Sequence, residues 1–296
     1  MKPASRLLKS LLIYLTAFLL VILFVLLPRT EHFSWTVYGN NIRDFVAQLL
    51  LERSLGVSQY NVPAGQEVLD ALGKSILIIP SALLIAFVFG ILKGMLDYVL
   101  SKWKLSVLGS GVTWLFQSIP DFLLLLLAQW YIIHHGNKIR FFAPDGWTGF
   151  YIPVVLASIY PVMYVARITY ASIASQEGEF YIKTAVAKGL PSWLIFFKHI
   201  MLNCVTRILT HFTPLGVYII SSLVLIEYFR NILGAARRMF VGIDYMTFLG
   251  ISGPRYEPGV LIGIAFCFML IVALFQIISF LALRWLGPAE ARREES

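Results

Sequence analysis

Residues 176–203 read QEGEFYIKTAVAKGLPSWLIFFKHIMLN. This polar-bearing interval lies between two strongly apolar stretches, yet it is too amphipathic for a linker. Phe180, Tyr181, Thr184, Ala185 and Lys188 are expected on one helical face, at offsets of three and four residues. Gly189 supplies a residue able to take the left-handed backbone that ends a helix, and Pro191 discourages continuation. A second short helix fits residues 192–202, with Ser192 as its N-cap and Trp193, Phe196, Phe197, Ile200 and Met201 as its apolar face. Two short helices meeting at a glycine corner, flanked by apolar runs, belong at a membrane surface. Spacing alone leaves two uses open: an interfacial hairpin resting on lipid headgroups, or a docking surface for a partner protein.

Outward from this stretch the chain is apolar. Hydrophobic residues make up 58% of 296 and charged residues 14%, and the mean hydropathy is +0.77. A soluble domain carries roughly 25% charged residues, so this is an integral membrane protein of the all-α class. The formal net charge of +8 fits basic cytoplasmic loops and calls for no nucleic acid, because no soluble basic domain stands out to bind it. Cys204 and Cys267 do not make a disulfide framework. Neither cysteine has metal-ligand spacing with His32, His134, His135, His199 or His211. Gly73-Lys74-Ser75 imitates the end of a phosphate-binding loop, but Val68 stands where that motif needs its first glycine. No cofactor or metal is expected, and any energy-driven activity would have to draw its energy from elsewhere.

Apolar runs place six transmembrane spans near residues 11–27, 76–92, 105–133, 150–173, 209–226 and 260–283. Each reaches or approaches the roughly 20 residues that cross about 30 Å of hydrocarbon. The first follows Lys2, Arg6 and Lys9 and ends in Pro28-Arg29-Thr30-Glu31 rather than a small-residue cleavage site, so it reads as an uncleaved span. The bias of lysine and arginine puts both termini and the loop of about 176–207 in the cytoplasm, and the segment of about 28–75 outside. With no internal repeat, residues 1–296 read as one domain. Pro80, Pro120, Pro153, Pro161 and Pro214 interrupt the second to fifth spans, and each removes a backbone hydrogen bond. Asp121 reads as the one acid well inside a span. An ionised carboxylate there costs about 2.5–3.5 kcal/mol. It either lines a water-filled path or is satisfied by backbone groups freed beside Pro120.

The run Tyr181-Ile182-Lys183-Thr184-Ala185-Val186-Ala187-Lys188-Gly189-Leu190, with His199 and Asn203 after it, resembles the cytoplasmic "EAA" loop of bacterial ABC importer permeases. It is most similar to the dipeptide/oligopeptide/nickel branch, whose loop reads Y-x-x-T-A-x-A-K-G-x. Lys183 and Thr184 stand where the general pattern has Glu and the first Ala, and Leu202 stands at its later proline. Leu55-Gly56-Val57-Ser58, Ser118-Ile119-Pro120-Asp121-Phe122 and Ala166-Arg167-Ile168-Thr169-Tyr170-Ala171-Ser172 resemble other segments of that branch. The G-D-P that commonly follows the first span is missing. The E-x-x-F-x-x-P-G-x-G after the fifth is reduced to Glu227-Tyr228-Phe229 and Gly234.

The resemblance implies a type I ABC importer permease fold, with six transmembrane helices and a cytoplasmic coupling helix. Tyr181, Lys183, Thr184, Ala185, Lys188 and Gly189 would meet an ATPase. The implied partners are a second homologous permease subunit, two cytoplasmic ABC ATPase subunits and an extracytoplasmic solute-binding protein, in a bacterial cell membrane. The chain itself would do no covalent chemistry. Alternating access would carry peptides or a similar small solute, or alternatively nickel chelates or another non-peptide solute. A self-sufficient channel or carrier would need a selectivity motif or internal coupling site, and an intramembrane enzyme would need paired acids or a His/Glu metal site.

Overall fold

The computed structural model describes residues 3–29, 33–135, 146–243 and 256–286. In chain order the helices are α1 (Pro3–Val25), α2 (Trp35–Leu51), α3 (Ala64–Ser75), α4 (Ile78–Lys102), α5 (Val107–Ser118), α6 (Asp121–His135), α7 (Gly146–Ser175) and α8 (Phe180–Ala187). There follow α9 (Ser192–Leu209), α10 (Phe212–Phe229), α11 (Ala235–Gly242) and α12 (Pro258–Leu286). α5 is π-helical over Val107–Gly111 and α9 over Ile195–Met201.

Among the described residues, Ala64–Lys102, Thr148–Ser175, Ser192–Leu209, Phe212–Phe229 and Pro258–Leu286 are long and apolar enough to cross a membrane, and residues 12–25 form a shorter apolar helix. Two expectations change in detail. The span expected over residues 105–133 is two helices meeting at a 98° bend. The break falls at Ile119-Pro120: proline lacks an N–H and pushes the residue before it out of helical geometry, and Ile119 is extended, with φ −87° and ψ 126°. The surface helix expected over 192–202 instead runs to Leu209 and is itself long enough to span.

The chain divides into two compact units. The first comprises Met1–Leu77 with Glu227–Ala273. A small core there gathers Leu26, Phe45 and Ile262, with Phe18 and Ile22 packed against it. Arg238 on α11 is paired with Glu67 on α3 and with Glu257, just before α12. All three side chains are mostly buried. Burial opposes the guanidinium charge, and the two carboxylates more than offset it, raising the Arg238 pKa above its ordinary value. Glu257 also accepts the backbone N–H of Gln59 at 2.5 Å. Glu227, in the last turn of α10, is fully buried. It accepts hydrogen bonds from Ser75 Oγ and from the backbone N–H of Arg237 at 2.9 Å, so it caps the start of α11. A side chain at Gly234 would run into that carboxylate. The reduced Glu227/Gly234 motif therefore still makes a contact.

The second unit comprises Ile78–Ile226 with Leu274–Ser296. Its main packing is α4 against α7. Ala82, Ala86, Gly90 and Gly94 recur every four residues and are all buried. A Cβ at Gly90 would lie 2.5 Å from Val165 Cβ and 2.9 Å from the Val162 carbonyl. One at Gly94 would lie 2.5 Å from both the Ala166 carbonyl and Thr169 Cβ. In lipid no hydrophobic force drives helices together, so close van der Waals contact along such a ridge has to. Asp97, further along α4, is also buried. Asp97 is thus a second acid on a long apolar helix. Lys93, expected in a loop, lies one helical turn earlier and pairs with Asp97; its Nζ also donates to Thr113 Oγ1 on α5 at 2.9 Å. Thr113 in turn donates to the other Asp97 oxygen at 2.7 Å.

Candidate functional site

The candidate site is α8 with the turn that ends it. α8 follows Glu179, whose ψ of 143° marks the last extended residue. It is terminated as its glycine implied. Gly189 has φ +72°, its N–H bonds the Val186 carbonyl at 2.9 Å, and the N–H of Leu190 reaches back to the Ala185 carbonyl at 3.3 Å. This is the Schellman arrangement, which satisfies carbonyls that the helix end would otherwise leave unpaired.

α8 packs against residues 195–201 of α9, where Ile195, Ile200 and Met201 are buried. Ala185 is the α8 residue turned inward, at 4% exposure. The expected common face of Phe180 and Ala185 therefore does not exist: five residues is about 140° around a helix of 3.6 residues per turn. The outward surface carries Phe180, Lys183, Thr184, Val186, Ala187 and Lys188, all exposed. Lys183 Nζ sits 5.3 Å above the Phe180 ring, and Thr184 Oγ1 donates to the Phe180 carbonyl at 2.9 Å. Tyr181 is half-buried. Its hydroxyl donates to Gln176 Oε1 and accepts from Asn203 Nδ2 at 3.3 Å.

Two further fastenings were not read from the sequence. Glu177 accepts hydrogen bonds from Lys102 and Tyr98 at the end of α4. The Lys102 ammonium, with the Tyr98 hydroxyl, holds its carboxyl below the usual carboxylate range. Arg207 on α9 donates to Ser175 Oγ at the end of α7 at 3.0 Å. The only signal for either was a surplus of charge at helix ends, which does not name partners. Asp121 opens α6 immediately after the break at Pro120; its side chain lies outside the described residues.

A family model described as binding-protein-dependent transport system inner membrane component matches residues 55–292. The chain belongs to this family. The match runs through residues of both compact units and contains all of α8 and the Glu227–Gly234 contact. Among curated proteins, this inner membrane component is 27% identical over 182 residues to the oligopeptide transport system permease protein OppB of Salmonella typhimurium, covering 58% of each chain. It is 27% identical over 177 residues to the dipeptide transport system permease protein DppB of Bacillus subtilis, covering 57% of this chain and 56% of that one. With DppB of Alkalihalophilus pseudofirmus it shares 24% identity over 270 residues, 80% of this chain and 77% of the other. The chain thus spans a little over half the length of the first two relatives. A solved chain of the MetNI methionine ABC transporter in an inward-facing conformation has a TM-score of 0.58 at 16% identity, covering 75% of this chain and 96% of that one. That likeness is one of fold alone, and it meets the expectation of an all-α transmembrane fold.

Proposed function

We propose that this chain is the permease subunit of a bacterial peptide importer, worked by separate ATPase subunits that dock on the outward face of α8. The observation that carries the reading is the build of that helix. Its outward face is open, its end is fixed at Gly189, and its surroundings are fastened to α4 by Glu177, to α7 by Ser175 and to α9 by Tyr181 and Ala185. An element that transmits movement to membrane helices has to be stiff and tied to them, whereas a hairpin that only rests on lipid needs neither property. Oligopeptide and dipeptide permeases among the relatives support the solute class.

In this reading residues 1–296 act as one permease domain. The loop of about 176–207 and both termini are cytoplasmic, and the segment of about 28–75 is outside. A second homologous permease, two ATPases and an extracytoplasmic solute-binding protein complete the machine, which works by alternating access. Tyr181, Lys183, Thr184, Ala185, Lys188 and Gly189 form the coupling site, Ala185 by seating α8 and the exposed members by contact. Asp121, at the break between α5 and α6, is assigned to the path.

The test is uptake of radiolabelled trialanine by liposomes holding the assembled complex. Uptake that requires both ATP and the solute-binding protein is expected. Uptake that persists without the ATPase subunits would mean a self-sufficient carrier and overturn the proposal. ATP-driven uptake of a nickel chelate but of no peptide would overturn the solute class.

A further inference from the structure

We infer that a track of polar aromatic side chains on α7 and beside α10 is a solute-contact surface, suited to the uncharged amide groups of a peptide. The solute class rests on the peptide-importer reading above; water access to the track does not.

The track begins at a cavity between α6, α7 and α10, lined by Phe122, Leu125, Ala157, Tyr160, Tyr218 and Ser222 among others. The Tyr160 and Tyr218 rings stack across its wall, with centroids 4.7 Å apart and planes at 27°. One helical turn along α7 comes Tyr164, 6.5 Å from Tyr160. Tyr164 Oη and His211 Nδ1 are paired at 3.2 Å. Arg167 Cζ lies 5.4 Å from the Tyr164 ring. From Tyr160 to Arg167 the track covers about 10 Å of helix axis, toward the loop that holds α8.

These groups lie in or beside apolar spans, where a hydroxyl facing hydrocarbon would lose its hydrogen bonds. Pro161 adds to the cavity's polarity. Having no N–H, it leaves the Ala157 carbonyl without its usual donor one turn back, and Ala157 lines the cavity. Val155 on α7 and Val217 on α10 are exposed apolar positions on the same two helices.

The chemistry of the cavity lining names the ligand. Phenols and a serine hydroxyl donate and accept, a backbone carbonyl accepts, and apolar rings and Leu125 offer packing. Among the described residues, none that lines the cavity carries a charge at neutral pH. Amide N–H and C=O groups with varied side chains match this set.

Single cysteines at Tyr160, Tyr218, Val155 and Val217, in the assembled complex without Cys204 and Cys267, test the assignment with a charged, water-soluble thiosulfonate. Modification at Tyr160→Cys and Tyr218→Cys should be at least about tenfold faster than at Val155→Cys and Val217→Cys, and trialanine should slow it. Equal slow rates at all four positions, with and without ATP, would overturn the track. Fast modification that trialanine leaves unchanged, in a complex that transports trialanine, would overturn the contact. If trialanine is not transported at all, the peptide reading fails separately and the rate ratio still decides whether the track meets water. Tyr160→Phe guards against misfolded cysteine variants: it keeps the ring and should raise the KM for trialanine about three- to tenfold, and an unchanged KM counts against the track.

Discussion

Gly189→Ala isolates the conformational demand at the end of α8. The residue sits at φ +72°, and no atom lies within 4 Å of where a Cβ would stand. The added methyl therefore meets nothing, and the whole cost is that of holding an L-residue in the left-handed region, about 1–2 kcal/mol. A shift of that size changes the balance between the terminated turn and its alternatives by a factor of about 5–30. If only the terminated form docks, the ATPase concentration for half-maximal stimulation should rise as the terminated fraction falls, by up to that factor. Gly189→Asn should cost clearly less, because asparagine visits this region more readily. The assay is a titration of ATPase subunits against complexes reconstituted with each variant. Wild-type behaviour of Gly189→Ala would refute the reasoning. So would an equal defect in Gly189→Asn, since the demand would then not be one of backbone conformation.

Three further outcomes are expected. Gly94→Ala gains about 1 kcal/mol of helix propensity but places a Cβ 2.5 Å from the Ala166 carbonyl, and overpacking costs about 1–3 kcal/mol. The variant should melt below the wild type in detergent; a higher melting temperature would mean that α4 and α7 do not touch there. Arg238→Met leaves Glu67 and Glu257 without their cation, a loss of about 3–5 kcal/mol for breaking a buried pair; thermal unfolding showing less than about 1 kcal/mol would contradict the network. For Glu177 the folded pKa is depressed, by Lys102 foremost, so its tether is intact above the usual carboxylate range and is lost as pH falls through the lowered value. ATPase stimulation should be flat between about pH 6 and 8 on this account, and an inflection there that disappears in Glu177→Gln would contradict it.

What could be read from the sequence follows the range of the interactions. The turn at Gly189 is local: a glycine, then Leu190 and Pro191, specify it within a few residues, and the structure repeats it. The face of α8 was less legible. Eight residues make little more than two turns, and Phe180, Ala185 and Val186 are all apolar, so periodicity does not say which one is covered. Gly90-x-x-x-Gly94 and the Lys93/Asp97 pair are visible as spacings, but ending the second span near residue 92 put Lys93, Gly94 and Asp97 in a loop. Glu227 could be seen as part of a reduced motif. Its partner Ser75 lies 152 residues earlier, and no pattern in one sequence joins positions so far apart. The break at Ile119-Pro120 was marked by its proline, yet a proline alone does not distinguish a kink from a 98° bend.

The central claim is that the outward face of α8 touches an ATP-hydrolysing subunit. A photoreactive benzoylphenylalanine in place of Val186, which is 60% exposed, tests it in membranes containing the assembled, transporting complex. Irradiation should join this position to the ATPase, identified by mass spectrometry, while the same group at Val155 should not. Adducts from Val186 only to lipid, in a complex that still transports, would return the loop to a hairpin lying on headgroups and contradict the account.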